Sequence, residues 1–449
     1  MIRSTLFFAV LCLTSASILD AQGQEPALHQ TQTIAIRAAR LINGKNDGKN
    51  DVAIRDAIIL VDGEKITAVG SGLTIPKNAV VIDLGDVTLL PGLIDAHTHL
   101  LLQMDGTNVS LQDIEMLRVV ATESTAERAL LGAKLAREDL NAGITTVRDL
   151  GNSGVNGDIA LRDAINRGWT SGPRIVAATR ALAAPGGQFG RLIPEAQRVI
   201  EQEYVTLNGP ESARQAVRQA LYYGADCIKV IVNGSPANVT LDEMKAIVDE
   251  AHTSEAKVAA HATDEKATRI AAEAGVDSIE HAYAITDDVL KMMAEKHIFM
   301  VPTDGTEQEY LDMVFGTRQP SPDERAEQDK WVRKYVVGNR DRLQRAMKLG
   351  VPIAAGSDMY LTMPNLNRGQ ASLLVLAAYA EEGMTPIQII HAATSNAAEL
   401  LGWQDRIGSL EAGKFADIIA VPGDPLKDAT LLEHAKFVMK GGVVIRNDK

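Results

Sequence analysis

The sequence has few cysteines and a deficit of positive charge. Of its two cysteines, Cys12 lies in an apolar segment at the start of the chain, so removal of that segment would leave Cys227 alone and exclude an intrachain disulfide. The formal net charge is −13. Nucleic-acid binding depends mainly on Lys and Arg that neutralise phosphates, so this charge argues against a nucleic-acid partner. We therefore expect a small-molecule partner.

The sequence also lacks an apolar run long enough to cross a bilayer. The unbroken apolar stretch over residues 6–13 has eight residues, whereas a transmembrane helix needs about 20. Arg3 precedes this stretch and small residues follow it at 15–17, which is typical of a cleaved export signal. We predict a signal peptide over residues 1–21, no membrane span, and export to the periplasm or the medium. An ordinary buried helix is the alternative.

The two ends of the chain differ in pattern from its middle. Residues 34–90 and 409–444 alternate short β-rich runs with Gly, Asn and Asp turns, which predicts one small β-rich domain built from residues 22–89 and 408–449. In residues 90–407, short apolar strands alternate with amphipathic helical stretches, as in βα units with a parallel sheet. We count eight candidate strands: GLIDAHTH, ITTVRDL, RIVAAT, CIKVIV, KVAAHA, SIEHA, FMVPT and IAAGSD. The predicted fold class is therefore α/β, a (β/α)8 TIM barrel with a small β-rich domain.

Residues able to bind a metal follow five of the eight candidate strands. They are His97, His99, Lys229, His261, His281 and Asp358. In such barrels the functional residues lie at the C-terminal ends of the strands. His97 and His99 are two apart on one strand and so point to the same face, where both imidazoles can reach one ion. Six ligands with nitrogen and oxygen donors suit two divalent ions, Zn²⁺ or similar. The other five histidines, at positions 29, 252, 297, 391 and 434, lie in helical or polar terminal stretches and are left out of the site.

Lys229 is unusual because it lies inside an apolar strand. The alternation in CIKVIV places Ile228 and Val230 toward the helices, and Lys229 and Cys227 toward the interior, with Cys227 one layer deeper as a packing residue. A buried, unpaired ammonium is strongly disfavoured. One interpretation is a salt bridge to Asp358 or another carboxylate. The other is that the amine adds carbon dioxide and becomes a carbamate, an anionic ligand able to bridge two metals, since burial beside positive charge lowers a lysine pKa.

Several stretches of the sequence resemble the metal-dependent amidohydrolase superfamily, in particular its imidazolonepropionase-like and Xaa-Pro dipeptidase-like branch. They are LLPGLIDAHTHL, GITTVRDLG, GADCIKVIVNG, VAAHATDEKA, GVDSIEHA, AAGSDM and TSNAAELLGWQDRIGSLEAGKFADIIAV. The resemblance implies that His97, His99 and Asp358 bind the more buried metal. It implies that His261 and His281 bind the more exposed metal, and that carboxylated Lys229 bridges the two. Asp358 would take a proton from the metal-bridging hydroxide, the nucleophile, and pass it to the leaving amine.

The substrate loops depart from the pattern of many relatives. Thr263 stands where the branch often has a second histidine after His261, and Gln188 stands where many relatives carry histidine. The chain resembles bacterial amidohydrolases and ochratoxinases, so the leading hypothesis is hydrolysis of an amide next to a free carboxylate. Such substrates are N-acyl amino acids, small dipeptides or ochratoxin A. Candidate substrate-binding residues are Arg180 and Arg191 for the carboxylate, with Gln188 and Tyr310 in the long connections 183–207 and 304–337.

Two other functions stay open at this point. The resemblance to imidazolonepropionase suggests opening of a cyclic amide or imine, and turnover of cyclic substrates alone would favour it. A non-catalytic binding barrel is the third hypothesis, and protein purified free of metal without chelators would support it. We also expect a homo-oligomer.

Overall fold

The computed structural model describes residues 32–448, apart from residues 47, 49–51, 106–111, 235 and 316–318. The predicted signal peptide, residues 1–21, lies outside the described residues and stays a prediction. Within the described ranges, none of the helices combines the length and the hydropathy needed to cross a membrane.

The described elements alternate between strands and helices along most of the chain. The strands are β1 (Ile34–Leu41), β2 (Ile54–Asp62), β3 (Lys65–Ser71), β4 (Val80–Asp83), β5 (Val87–Pro91), β6 (Leu93–Thr98), β7 (Met104–Asp105), β8 (Ile144–Asp149), β9 (Arg174–Ala177), β10 (Ala181–Ala183), β11 (Tyr204–Thr206), β12 (Cys227–Ile231), β13 (Lys257–Ala262), β14 (Ser278–His281), β15 (Phe299–Val301), β16 (Leu361–Thr362), β17 (Ile418–Pro422), β18 (Phe437–Lys440) and β19 (Val443–Asn447). The α-helices are α1 (Gln112–Thr122), α2 (Thr125–Ala142), α3 (Gly157–Asn166), α4 (Gln197–Glu203), α5 (Pro210–Tyr222), α6 (Leu241–Thr253), α7 (Glu265–Ala274), α8 (Asp287–Lys296), α9 (Glu307–Phe315), α10 (Pro322–Lys348), α11 (Arg368–Glu381), α12 (Pro386–Ala392) and α13 (Ser395–Leu400).

Strands from the two ends of the chain form one sheet. Its order is β19-β18-β17-β5-β1-β2-β3, and β4 pairs with β1. The two ends meet where β5 and β17 pair antiparallel, with Leu90 opposite Ile419. One face buries apolar side chains from both ends, including Ile36, Ile59 and Phe437. This sheet is consistent with the expected small β-rich domain, whereas the domain boundaries at residues 22–89, 90–407 and 408–449 stay predictions.

The middle of the chain has parallel strands, as expected for an α/β fold. They form a sheet of order β6-β8-β9 and a sheet of order β11-β10-β12-β13-β14-β15. Seven of the eight predicted strands are strands in the structure. The eighth, residues 353–358, forms one isolated bridge, between Ile353 and Met300, and the next residue, Met359, bridges to Thr98. A closed eight-stranded barrel therefore stays a prediction, since the structure divides these strands between two sheets.

The segment over residues 353–358 nevertheless connects the two sheets. The backbone N–H of Ala354 donates to the carbonyl of Met300, and the N–H of Ala96 donates to the carbonyl of Ala355, at 3.0 and 2.8 Å. The segment departs from a regular strand because the N–H of Ala355 donates instead to the carbonyl of Ala392, beyond the sheet. Asp358, at its end, has a positive φ of 50°. It is thereby held beside β6.

The two faces of β12 are buried against different neighbours. Ile228 and Val230 belong to a large apolar core that includes residues of α5 and α6, whereas Cys227 belongs to a smaller core with Ile94 and Ala259. The predicted alternation of this strand is confirmed. Lys229 lies on the same side as Cys227, and burial raises the pKa of the Cys227 thiol. The thiol therefore stays protonated and acts as a packing group.

The long connection predicted over residues 304–337 contains helices rather than a loop. It includes α9 and more than half of α10. The sequence pattern predicts a helix only over residues 340–349, the C-terminal part of α10, because few residues in the first part of this helix are apolar and only one side of it is buried. A capping box between Ser321 and Glu324, followed by Pro322 at the first helical position, was the available signal.

Gly356 has a specific steric role, which gives a first prediction. A Cβ at this position would lie 2.5 Å from Cγ1 of Val301 and 2.7 Å from Cβ of His97. We expect Gly356→Ala to lower the free energy of unfolding by about 1–3 kcal/mol through overpacking. The matched control is Gly338→Ala, at an exposed position inside α10 with no atom within 4 Å of the added Cβ, and we expect it to stabilise by about 1 kcal/mol. Urea unfolding measures both, and equal effects would contradict the steric argument.

Candidate metal centre

All six predicted metal-binding side chains line one cavity. His97 and His99 come from the end of β6, Lys229 from β12, His261 from β13, His281 from β14 and Asp358 from the segment after β15. The cavity has a volume of about 240 Å³. Parallel strands end on the same edge, so residues far apart in sequence meet there. The structure brings the six together as the strand-end argument predicts.

Asp358 lies at the centre of the histidines. Its Oδ1 is 3.0 Å from Nε2 of His99 and 3.4 Å from Nε2 of His97. Donor atoms of His97, His281 and Asp358 all lie within 4.8 Å of one another. The rings of His261 and His281 are 4.6 Å apart between centroids. These distances place nitrogen and oxygen donors around a common space.

Hydrogen bonds hold the far side of the His99 and His281 imidazoles. Nδ1 of His99 is 2.8 Å from the carbonyl of Gly151, which can only accept. Nδ1 of His281 is 2.7 Å from Oγ1 of Thr303, whose own proton goes to the carbonyl of Pro302. Both rings therefore carry their proton on Nδ1, and the lone pair of Nε2 is available to bind a metal ion. This arrangement is typical of metal-ligating histidines.

The partner of His97 was missed in the sequence. Its Nδ1 lies 2.7 Å from Oε2 of Glu280, and Oε1 of Glu280 accepts a hydrogen bond from Arg148 at 2.9 Å. Burial would raise the pKa of Glu280, but Arg148 and His97 lower it to about 2. Glu280 is therefore a buried carboxylate that orients His97. The available signal was a charged residue within a short apolar strand, in SIEHA and in ITTVRDL, the same signal that identified Lys229.

Burial sets the protonation of the donors. It is the main cause that lowers the pKa of His97 to about 4 and that of His261 to about 3, and Lys229 adds to both shifts. Burial alone would raise the pKa of Asp358, but the imidazoles around it outweigh burial and lower it. At neutral pH the imidazoles of His97 and His261 are therefore neutral, and Asp358 is a carboxylate. These are the forms that bind divalent ions, so the residues fit a metal centre.

Lys229 is buried without a counter-ion. Its Nζ lies 3.5 Å from Nε2 of His97, and within the described residues it forms no ion pair with Asp358 or another carboxylate. Burial lowers its pKa to about 8. The salt-bridge alternative is therefore not observed, and a larger neutral fraction of the amine is present than for an exposed lysine.

The predicted substrate residues fall into two groups. Gln188 lines the metal cavity, and Tyr310 lines a second cavity of about 180 Å³ that shares Asp358 with the first. Arg180 donates to the carbonyl of Glu201, Arg191 is exposed, and neither lines these cavities. Because neither side chain lines a cavity, their positions do not support a contact with the substrate carboxylate, and this assignment stays a prediction. Asn152 and Tyr360, which the sequence did not single out, line the metal cavity.

The excluded histidines stay apart from the cavity. His252 pairs with Asp277 and His297 pairs with Glu399, at 2.8 and 2.9 Å. His391 is buried within α12, and His434 follows a short 3-10 helix. His29 lies outside the described residues.

Comparison with known proteins gives consistent matches along the chain. The model of the amidohydrolase family matches residues 88–446. Ochratoxinase from Aspergillus niger is 29% identical over 452 aligned positions, which cover 93% of this chain and 87% of that protein. Imidazolonepropionase from Alkaliphilus oremlandii is 24% identical, with 92% and 96% covered.

Solved structures agree with these relatives. The crystal structure of a Xaa-Pro dipeptidase with methionine bound in its active site is 31% identical, with a TM-score of 0.75, and the alignment covers 92% of this chain and 99% of that one. Such similarities imply a TIM-barrel-like α/β fold around the cavity.

Proposed function

The chain belongs to the amidohydrolase family and is a metal-dependent hydrolase of C–N bonds, and from this premise we propose that it cleaves amides next to a C-terminal amino acid. The observation that carries the proposal is the convergence of six metal-binding side chains, Asp358 among them, on one cavity. N-acyl amino acids, small dipeptides and amides of the ochratoxin A type are the proposed substrates.

We infer that the site holds two divalent ions, with Zn²⁺ as the first candidate. His97, His99 and Asp358 would hold one, and His261 and His281 the other. When bound, such a pair lowers the pKa of water and polarises the scissile carbonyl. The Lys229 amine would add carbon dioxide, forming an N–C bond and releasing one proton, and the resulting carbamate would lie between the two sets of histidines.

Asp358 is the proposed proton carrier. Its lowered pKa keeps it ionised, which is the form that accepts a proton. It lines both cavities, so a substrate that extends from one to the other would pass its scissile bond beside this carboxylate. The same side chain could then return the proton to the leaving amine.

The relatives support the choice of substrate class. One is an ochratoxinase, and the dipeptidase structure holds methionine, an amino acid with a free carboxylate. Donor groups that line the metal cavity, the amides of Asn152 and Gln188, could hydrogen-bond such a carboxylate. Export, a closed barrel and a homo-oligomer stay part of this proposal.

A substrate panel tests the proposal. We expect metal-loaded protein to hydrolyse N-acetyl amino acids and dipeptides with kcat/KM at least about tenfold above that for the same compounds with a C-terminal carboxamide, because an amide cannot replace a charged carboxylate. Chelated protein is the control and should recover on addition of Zn²⁺. Turnover of cyclic substrates alone would reject the proposal in favour of the imidazolonepropionase-like alternative, which the similarity to that enzyme favours.

A further inference from the structure

The second cavity has aromatic walls. We call Tyr283, Tyr310, Trp331 and Tyr335 the aromatic box, and all four line this cavity. The rings meet at different angles: Tyr310 is at 88° to Tyr335 with centroids 5.0 Å apart, and Tyr283 is at 58° to Tyr335 at 5.7 Å. Trp331 stacks on Tyr335. Rings at such angles enclose a space rather than form a flat stack.

Aromatic residues are concentrated at this place. The whole chain has 3 Trp and 8 Tyr, yet one Trp and four Tyr line this single cavity, Tyr360 being the fourth tyrosine. In a chain with so few aromatic side chains, this clustering indicates that the cavity binds a ligand through its aromatic faces.

An acid lies among the rings. Glu309 is 6% exposed and lines the same cavity. Its Oε2 accepts a hydrogen bond from the N–H of Thr306 at 3.3 Å. Space for the carboxyl is left by Gly305, where a Cβ would lie 2.7 Å from Oε2 of Glu309. Any residue with a Cβ at position 305 would therefore displace the Glu309 carboxyl.

Glu309 lacks a cation to balance it. Burial raises its pKa to about 8, and the charged groups that add to the shift are all acids, Asp312, Asp304 and Glu381. Among the described residues that line the cavity, the charged ones are Glu309 and Asp358. Arg342, whose guanidinium carbon lies 5.2 Å from the centroid of the Tyr283 ring, is paired with Asp304. The cavity itself is thus aromatic and acidic.

We propose that the aromatic box with Glu309 binds a positively charged nitrogen carried by the acyl part of the substrate. Aromatic faces attract cations. A cation bound beside Glu309 favours the ionised form of this buried acid, which then supplies the countercharge. The chemical class is an ammonium or trialkylammonium group, as in a basic amino-acid side chain.

The polar groups of the two cavities also set the direction of the substrate. Asn152 and Gln188 offer amide N–H donors in the metal cavity, whereas the charged residues described in the lining of the second cavity are both acids, so the carboxylate of the leaving amino acid would lie on the side of Asn152 and Gln188. The acyl group then extends into the aromatic box. This orientation, unlike cation binding itself, rests on the proposed function.

Cation binding can be measured without turnover. In a Trp169→Phe, Trp403→Phe background, Trp331 is the remaining tryptophan and reports on the box by fluorescence. We expect saturable quenching by tetramethylammonium chloride, compared with sodium chloride at equal ionic strength. Glu309→Gln, which keeps the acceptor for Thr306, should weaken binding by about tenfold. The matched control is Glu307→Gln on the same helix, where Glu307 pairs with exposed Arg333 and should not matter.

Binding that is absent in the parent, or equal in the parent and in Glu309→Gln, overturns the proposal. Tyr335→Leu gives a second check, because loss of a central ring should weaken tetramethylammonium binding even if Glu309→Gln folds poorly. Unchanged binding in Tyr335→Leu likewise overturns it.

A pair of isosteric substrates tests the same idea by catalysis. N-(4-trimethylammoniobutanoyl)-alanine and N-(5,5-dimethylhexanoyl)-alanine differ only at one atom, a cationic nitrogen in the first and a neutral carbon in the second. We expect kcat/KM to favour the cationic compound by about tenfold, and Glu309→Gln to remove the preference. Equal or better turnover of the neutral compound would refute cation binding while leaving the amidase proposal intact. Tetramethylammonium binding that depends on Glu309, without hydrolysis of either amide, would refute the amidase proposal alone.

Discussion

We expect the Lys229→Ala variant to lose bound metal and hydrolytic activity together, and this is the largest effect that we predict. The substitution removes the only lysine that lines the metal cavity among the described residues, and with it the proposed carbamate. Loss of an outer partner of a metal ligand already lowers metal affinity 10–100-fold. We therefore expect loss of a bridging ligand to lower both metal affinity and kcat/KM by at least about a hundredfold. Metal content by elemental analysis and initial rates measure the two effects.

Two further measurements separate the carbamate from a general structural role. A short carboxylic acid such as propionate should partly restore the rate of Lys229→Ala, because it supplies a carboxylate in the space that the side chain leaves. Cys227→Ala is the matched control, since Cys227 lies on the same side of β12 but packs in the inner core. It should keep its metal. Full metal content and rate in Lys229→Ala would refute the bridge.

Asp358→Asn is expected to keep most of the metal and lose turnover. The amide oxygen can still act as a donor, but an asparagine cannot accept the proton that Asp358 is proposed to carry. General acid–base catalysis contributes about 10²–10⁴-fold, so kcat should fall by that factor. Metal content, kcat and KM are measured on the same preparation.

The control for this prediction is Asp288→Asn, an exposed acid at the start of α8 that pairs with Arg269. It should leave kcat unchanged. A rate for Asp358→Asn within tenfold of the parent would contradict the proton-carrier role. Loss of metal in parallel with the rate would show that Asp358 acts first as a ligand.

The donors could be predicted because their signal is local. His97 and His99 follow the period of a strand, and Lys229 interrupts an apolar run, so a single strand reveals each of them. Their supports could not be predicted in this way. Arg148 and Glu280 are 132 residues apart and become a pair only when β8 and β14 lie in one fold. A charged residue within a buried strand predicts that a group of opposite charge lies beside it. Which residue supplies that group depends on the tertiary structure.

The substrate contacts were the weakest part of the sequence prediction. Arg180 and Arg191 are candidates because a guanidinium binds a carboxylate and both lie near the expected mouth of the barrel, yet neither lines the cavities: Arg180 is half-buried and Arg191 is exposed. The acid of the second cavity was overlooked for the opposite reason. Glu309 lies in the polar first turn of α9, where an acid normally faces water, and α9 packs its apolar residues against α10. The burial of this acid follows from tertiary packing, which the local sequence does not show.

The pairing of His97 with Glu280 bears on the order of events during maturation. These residues are 183 positions apart, so the imidazole is held in place only after distant strands have come together. Contacts of such long sequence separation form slowly. A metal ion would therefore meet an incomplete site on a nascent chain and a complete one only after the sheets are assembled. An ion that binds the native state and not the unfolded chain shifts the equilibrium toward folding. Metal binding would therefore follow assembly of the sheets and raise the free energy of unfolding of the assembled protein.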